Sequence, residues 1–223
     1  MRIDFFRAET ESLFEGLAKY QGTMESQLNK VREDEKHRIG NWLLSIGSGA
    51  EAEYDIAMQQ YSHYHDFIFP LFLRYSFVVL LFLVVESQLN RTCDTITERR
   101  NLSMRAKDFR GSTMERCKAY LKKAANVPLN REIWEKIEDL AKVRDCIVHA
   151  LGKVELSRDA QPLRDLARQN IGLSIGNDDD HPLAQGTLIV RSEYCVQAVD
   201  NVTSFFRDML DSAGFGASIS NME

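Results

Sequence analysis

Apolar residues recur at spacings of three, four or seven along most of this chain, and one short region reads as two strands instead. Phe6, Leu13, Leu17, Met24, Leu28 and Val31 keep the helical spacing, so residues 4 to 46 read as one or two helices with "VREDEKHR" as their polar part. "GSGAE", Gly47 to Glu51, breaks the pattern, and Ser48 can cap a following helix that carries Tyr54, Met58, Tyr61 and His65. Pro70 suits the first turn of another helix running to about Asp94. Ser112-x-x-Glu115 is a capping-box pattern that starts a helix through about Ala125. After the turn "NVPLNRE", a helix spans about Asn130 to Leu151, and Ser157 can cap a shorter one to about Gln169. "IGLSI" and "GTLIV" then read as two short strands around "GNDDDHPLAQ", a hairpin with a long tip. The last helix, about Ser192 to Ser212, is expected to bury Val196, Val199, Val202, Phe206 and Met209. "GFGASISNME" reads as a frayed tail. The expected class is therefore all-α, with a short β-hairpin before the last helix.

The most apolar stretch is "FVVLLFLVV", Phe77 to Val85, and it raises the question of a membrane span. Charges at Arg74 and Glu86 bracket a run of only about 16 Å of helix. A hydrocarbon core is about 30 Å thick. The expectation is a central helix buried on most sides.

Composition narrows the class. With 223 residues, 44% of them hydrophobic, the chain can bury one sizeable core without metal or crosslinks. Twelve Gly and four Pro with no Gly/Ser-rich or Pro-rich tract leave no obvious linker, which points to one structural domain. Acids within the first dozen residues do not fit a secretory signal. Cys93, Cys117, Cys146 and Cys195 are widely spaced without a CxxC pair, so a reducing cytoplasm is expected and a zinc site is not. The formal net charge of −5 argues against a generic nucleic-acid binder. It conceals a basic segment, however, from Arg91 to Lys123. Arg99, Arg100, Arg105, Lys107, Arg110 and Arg116 lie there and can meet phosphates on a local face.

On the helix after Asn130, Ile133, Ile137, Leu140, Ile147 and Leu151 share one face, and the vacant member of that series is Arg144. A guanidinium keeps its proton and is very unfavourable when buried unpaired. It needs a carboxylate, a wet cleft, a partner subunit or a bound anion, or it snorkels from the edge of the core. Glu86 is the candidate internal partner, because Tyr75, Val79, Phe82, Glu86, Leu89 and Cys93 form a second stripe interrupted by one charge. Asp145 and His149 are four apart and can hydrogen-bond. Arg144 and His149 are five apart, about 140° around the helix after a full turn. Arg-x4-His alone is a weak signal, since composition predicts roughly 0.4 occurrences by chance. A second one does exist, Arg32 and His37 in "REDEKH", on a strongly charged face with no evident apolar stripe.

"VRDCIVHALG", placed after an apolar helix ending "VVESQLN" and before a hairpin and "EYCVQAVDNVTSFFRDML", resembles the HEPN superfamily of all-helical proteins. That family's signature is Arg, a polar residue, three further residues and His; Arg144, Asp145 and His149 match it, with Asp145 in place of the commoner Asn. The resemblance covers about Asp66 to Ala213. It implies a HEPN-like helical core over 66–213, an N-terminal helical extension over 1–65 packed on that core, and a flexible tail over 214–223. It further implies a homodimer whose motif helices face one another across an RNA-cleaving cleft that needs no metal or cofactor. Histidine can act as base on a 2′-hydroxyl or as acid on the leaving oxygen. Arginine can stabilise charge growing on the phosphoryl oxygens. In this reading His149 is the general acid and base, Arg144 the phosphorane stabiliser, Asp145 the orienting carboxylate and Glu86 a supporting residue. The setting implied is a toxin–antitoxin or antiviral defence system with an antitoxin or defence-complex partner. In the branch controlled by a nucleotidyltransferase antitoxin, a tyrosine follows the histidine by two residues. Here that residue is Leu151, which puts that mode of control in doubt. A catalytically silent HEPN module that binds nucleic acid or a partner protein is the alternative.

Other clusters weigh less. His63 and His65 of "HYHD" diverge by about 200° on a helix, too far for one metal ion. "NDDDH", Asn177 to His181, lacks the alternating ligand spacing of a calcium loop. Cys146, three residues before His149, fits a half-buried core thiol better than a nucleophile. No glycine-rich loop suited to phosphates is present.

Overall fold

A computed structural model describes residues 4–46, 51–177 and 181–216, and over these the protein is all-α apart from one hairpin. The break at Gly47 with its Ser48 cap, the hairpin tip at Asp178 to Asp180, and the tail from residue 217 lie outside the described residues. Residues 4 to 46 hold a single helix, α1 (Phe5–Ile46). Its buried positions are Arg7, Thr10, Phe14, Leu17, Gln21, Glu25, Leu28 and Ile39, whereas Leu13 and Val31 are exposed. The seam is thus rotated from the one the apolar residues alone indicate, because four of its members are polar and are satisfied by partners. Thr10 donates to the Phe6 carbonyl, Gln21 donates to Ser192 Oγ, and Glu25 accepts a fork of two bonds from Arg74 at 2.8 and 3.0 Å.

From Ala52 to Arg100 the helical path is continuous. It comprises α2 (Glu51–Tyr61), a wider π-type stretch at Ser62–Ile68, and α3 (Phe69–Arg100). Pro70 is the second residue of α3, in its first turn as expected, although the helical path runs on through it from α2. Proline cannot donate to the carbonyl four residues back and its ring crowds that carbonyl. The widened turn just before it, in which the Phe69 N–H donates to the Tyr64 carbonyl five residues back, relieves that clash. The helix passes Asp94 and stops at Asn101, which has φ 51° and lets the Leu102 N–H bond the Thr97 carbonyl. The expected burial of its apolar stretch holds only in part. Tyr75, Phe77, Val78, Leu81, Phe82 and Val85 are buried, but Phe69, Phe72, Leu80 and Leu83 are exposed. Its most apolar 18-residue window is 39% buried, and by length and composition alone the helix could cross a membrane.

Ser112 and Glu115 form the expected reciprocal cap of α4 (Thr113–Lys123): Glu115 N–H donates to Ser112 Oγ and Ser112 N–H to Glu115 Oε2. Asn130 caps α5 (Arg131–Ala150) by accepting from the N–H groups of Glu132 and Ile133. The start of α6 (Ala160–Gln169) differs from expectation, since Ser157 accepts from the Asp159 N–H in the preceding turn and no side chain caps the helix itself. Strands β1 (Leu173–Ile175) and β2 (Leu188–Val190) pair antiparallel, Leu173 opposite Val190 and Ile175 opposite Leu188. The last helix, α7 (Ser192–Ser212), buries Val199, Val202, Phe206 and Met209; Val196, near its start, is exposed.

Two compact units are distinguished: Met1–Ala18 with Val79–Arg144 and Val196–Glu223, and Lys19–Val78 with Asp145–Cys195. The first is a helical core in which Phe14 packs on Phe206 at 4.8 Å between ring centres and Trp134 meets Phe205 edge-on at 5.4 Å. Such pairs add about 0.5–1.5 kcal/mol each beyond burial. Phe215 is buried against Phe6, with the Arg99 guanidinium 4.3 Å from its ring centre. In the second unit, buried Tyr75 donates to the Leu188 carbonyl at 2.6 Å, tying α3 to the hairpin.

Candidate active site on the fifth helix

Along α5 the buried positions are Trp134, Ile137, Leu140, Val143, Cys146, Ile147 and Ala150, so Arg144 stands inside the apolar face. Its side chain is 22% exposed and does not snorkel freely. Nη2 donates to Glu86 Oε2 at 3.2 Å, and the guanidinium carbon lies 4.3 Å from the centre of the Phe82 ring. The pair expected from the two interrupted stripes is thus formed. Phe82 adds a cation–π contact worth about 0.5–1 kcal/mol, and its place one turn before Glu86 was readable in the sequence as a face-sharing residue.

Asp145, the next residue, accepts from Arg158 Nη2 at 2.6 Å, and Arg158 also reaches Asp159 at 3.2 Å. Nothing in the helical pattern announced Arg158, which lies outside any helix and comes into range only through the turn after α5. His149 occupies the last helical turn, exposed, beside Val148 and with no hydrogen bond to another described residue. Leu151 does not continue the apolar stripe. It has φ 48° and is exposed, and Gly152 follows at φ 78° with its N–H bonded to the Cys146 carbonyl. Glycine is required at 152 twice over, for that left-handed conformation and because a Cβ would come within 1.8 Å of the Tyr75 hydroxyl. The chain is therefore stopped abruptly just after His149. Cys146 is fully buried, and burial pushes its thiol up to about 11, which leaves it inert as a nucleophile at neutral pH.

The six bases expected to meet RNA divide into three groups. Arg99 pairs with Asp4 and covers Phe215, while Arg100 donates to the Ala125 and Ala213 carbonyls; both serve the fold. Arg116 makes only a long bond to Thr113. Arg105, Lys107 and Arg110 are exposed without an ion pair among the described residues. The other Arg-x4-His pair is less bare than expected. Arg32 lies between buried Leu28 and Ile39 and pairs with Asp66 at 2.5 Å, while His37 is exposed. The fold also joins two stretches read separately in the sequence: His63 of "HYHD" and His181 of "NDDDH" approach to 2.9 Å between ring nitrogens, with Phe67 stacked on His181. No group of three metal-binding side chains forms among the described residues.

Comparison with known proteins gave no match to any family model, to any curated protein or to any solved structure.

Proposed function

We propose that this chain is a metal-independent endoribonuclease of HEPN type, acting as a homodimer on RNA in the cytoplasm, within a toxin–antitoxin or antiviral defence system. The observation that carries this reading is the setting of Arg144: a guanidinium kept in an apolar face, oriented by Glu86 and Phe82 yet partly open to solvent, on the same helix as an unengaged, exposed His149. In the reaction His149 removes the 2′-hydroxyl proton, the 2′-oxygen attacks phosphorus, and the partner's His149 protonates the departing 5′-oxygen. The products are a 2′,3′-cyclic phosphate and a 5′-hydroxyl. Arg144 stabilises the charge gathering on the phosphoryl oxygens. Asp145, itself held by Arg158, is the orienting carboxylate on the helix. Arg105, Lys107 and Arg110 supply positive charge to the RNA backbone, and Arg99, Arg100 and Arg116 contribute through the field rather than by contact.

A second copy would cover the exposed apolar residues of α3, Phe69 and Phe72 near its start and Leu80 and Leu83 further along. Leu151, in the place of a modifiable tyrosine, favours an antitoxin or defence partner acting by contact. A silent HEPN interaction module is the second reading, and the Glu86 bond favours it, since a paired Arg144 offers less charge to a phosphate. Incubating mixed RNAs with the protein in excess chelator separates the two. Cleavage that disappears in Arg144→Ala and His149→Ala supports the nuclease. Binding without cleavage, unchanged by either substitution, sinks it, and a monomer in sedimentation at micromolar concentration removes the dimeric cleft.

A further inference from the structure

A cleft of about 450 Å³ opens in the first unit where the start of α5 meets the end of α7. That volume lies in the range of about 300–1,000 Å³ usual for small-ligand sites. Its apolar lining includes Phe205, Met209 and Ile133, of which the first two are buried, and Trp134 backs Phe205 edge-on. Its polar lining is Asn130 at the start of α5 and Asp208, Asp211 and Ser212 on α7, so the only charges lining it are negative.

The two aspartates sit where a helix is least hospitable to them. Unpaired carbonyls make a helix C-terminus negative, so carboxylates there are unfavourable unless a cation answers them. The last turn of α7 contains no basic residue. Asp211 is answered by Arg7, which is buried and also bonded to Glu11. Asp208 has no ion pair among the described residues. Across the cleft, the Asn130 side chain already occupies the Glu132 and Ile133 N–H donors at the start of α5, so that helix end presents no free pair of donors there. An anion entering the cleft meets two carboxylates and capped donors. A cation with an apolar body meets an unanswered carboxylate, the negative end of α7 and the single ring of Phe205.

We propose that this cleft binds a small organic cation, an ammonium or guanidinium carried on an apolar body, with Asp208 as its counter-ion. The site uses none of the residues of the α5 motif and stands independently of the ribonuclease reading. Methyl NMR of the full chain, labelled at Met and Ile, tests it by titration with phenethylammonium chloride, with 2-phenylethanol as the neutral counterpart of the same shape, and with matched sodium chloride. The Met209 and Ile133 methyls are expected to shift saturably with the amine and not with the salt. The amine should bind about fivefold tighter than the alcohol, the scale of one partly exposed ion pair. Asp208→Asn should bring the amine down to the affinity of the alcohol while the remaining spectrum stays in place. Equal affinity for amine and alcohol, still methyls at Met209 and Ile133, or an amine preference that survives Asp208→Asn overturns the proposal.

Discussion

The chain contains two Arg-x4-His pairs, and they look more alike in three dimensions than in sequence. Each arginine lies in a buried helical face and bonds a carboxylate from the long apolar helix, Arg144 to Glu86 and Arg32 to Asp66; each histidine is exposed. What differs is the surrounding. The Arg144–Glu86 side chains are 22% and 25% exposed against 36% and 40% for Arg32–Asp66. Arg144 also has an aromatic ring beneath it. His149 stands at a helix end stopped by two left-handed residues, whereas His37 lies within the uninterrupted course of α1, where Glu35 and Arg38 pair with each other. An arginine inside an apolar face is thus explained by any good carboxylate. It is the oriented, partly desolvated guanidinium near a terminated helix that gives the α5 pair its chemical interest.

The comparison breaks most visibly in activity. Arg144→Ala is expected to lower RNA cleavage by about 10²-fold or more, the scale of a lost charge-stabilising donor, while Arg32→Ala leaves the rate per folded molecule unchanged. Gly152→Ala comes next. The new Cβ would collide with the Tyr75 hydroxyl at a left-handed position, and urea unfolding should show a loss of about 3 kcal/mol or more. No residue near His37 is under such a constraint in the described helix. Glu86→Ala should cost about 1–2 kcal/mol, because a mostly buried guanidinium loses its partner; Asp66→Ala, at a wetter pair, should cost less than about 1 kcal/mol.

The smallest effect calibrates a purely structural pair. The Arg99 bond, aided by the Arg7 N–H, holds the Asp4 carboxyl down at about 2, below its ordinary 3.8. A lowered carboxylate contributes stability that is complete above 3.8 and fades as pH falls through about 2. Arg99→Ala should therefore return Asp4 towards the ordinary range in a carboxyl NMR titration, with a stability gap from wild type that is widest above about pH 4 and narrows below about pH 2 to what the Phe215 contact contributes.

Local features were legible in the sequence. The Ser112–Glu115 box, the bounds of α7, the two hairpin strands and the Glu86–Arg144 pair all follow from short-range patterns and from two stripes interrupted by opposite charges. The seam of α1 was not legible, because Arg7, Gln21 and Glu25 are buried on the strength of partners distant in sequence. The same reason hides Arg158 beside Asp145. The exposed positions on α3 escaped because a hydrophobic run reports that a helix prefers burial, not whether one chain provides it. The face of Arg32 is hidden by the charged residues around it, although Leu28 and Ile39 flank it at helical spacing and are buried.

The most direct measurement is an end-group analysis of RNA incubated in chelator with wild type, His149→Ala and His37→Ala. The ribonuclease reading predicts 2′,3′-cyclic phosphate and 5′-hydroxyl ends from wild type and from His37→Ala in equal yield, and none above background from His149→Ala. Cleavage that persists in His149→Ala, or an equal loss in both histidine variants, would contradict it.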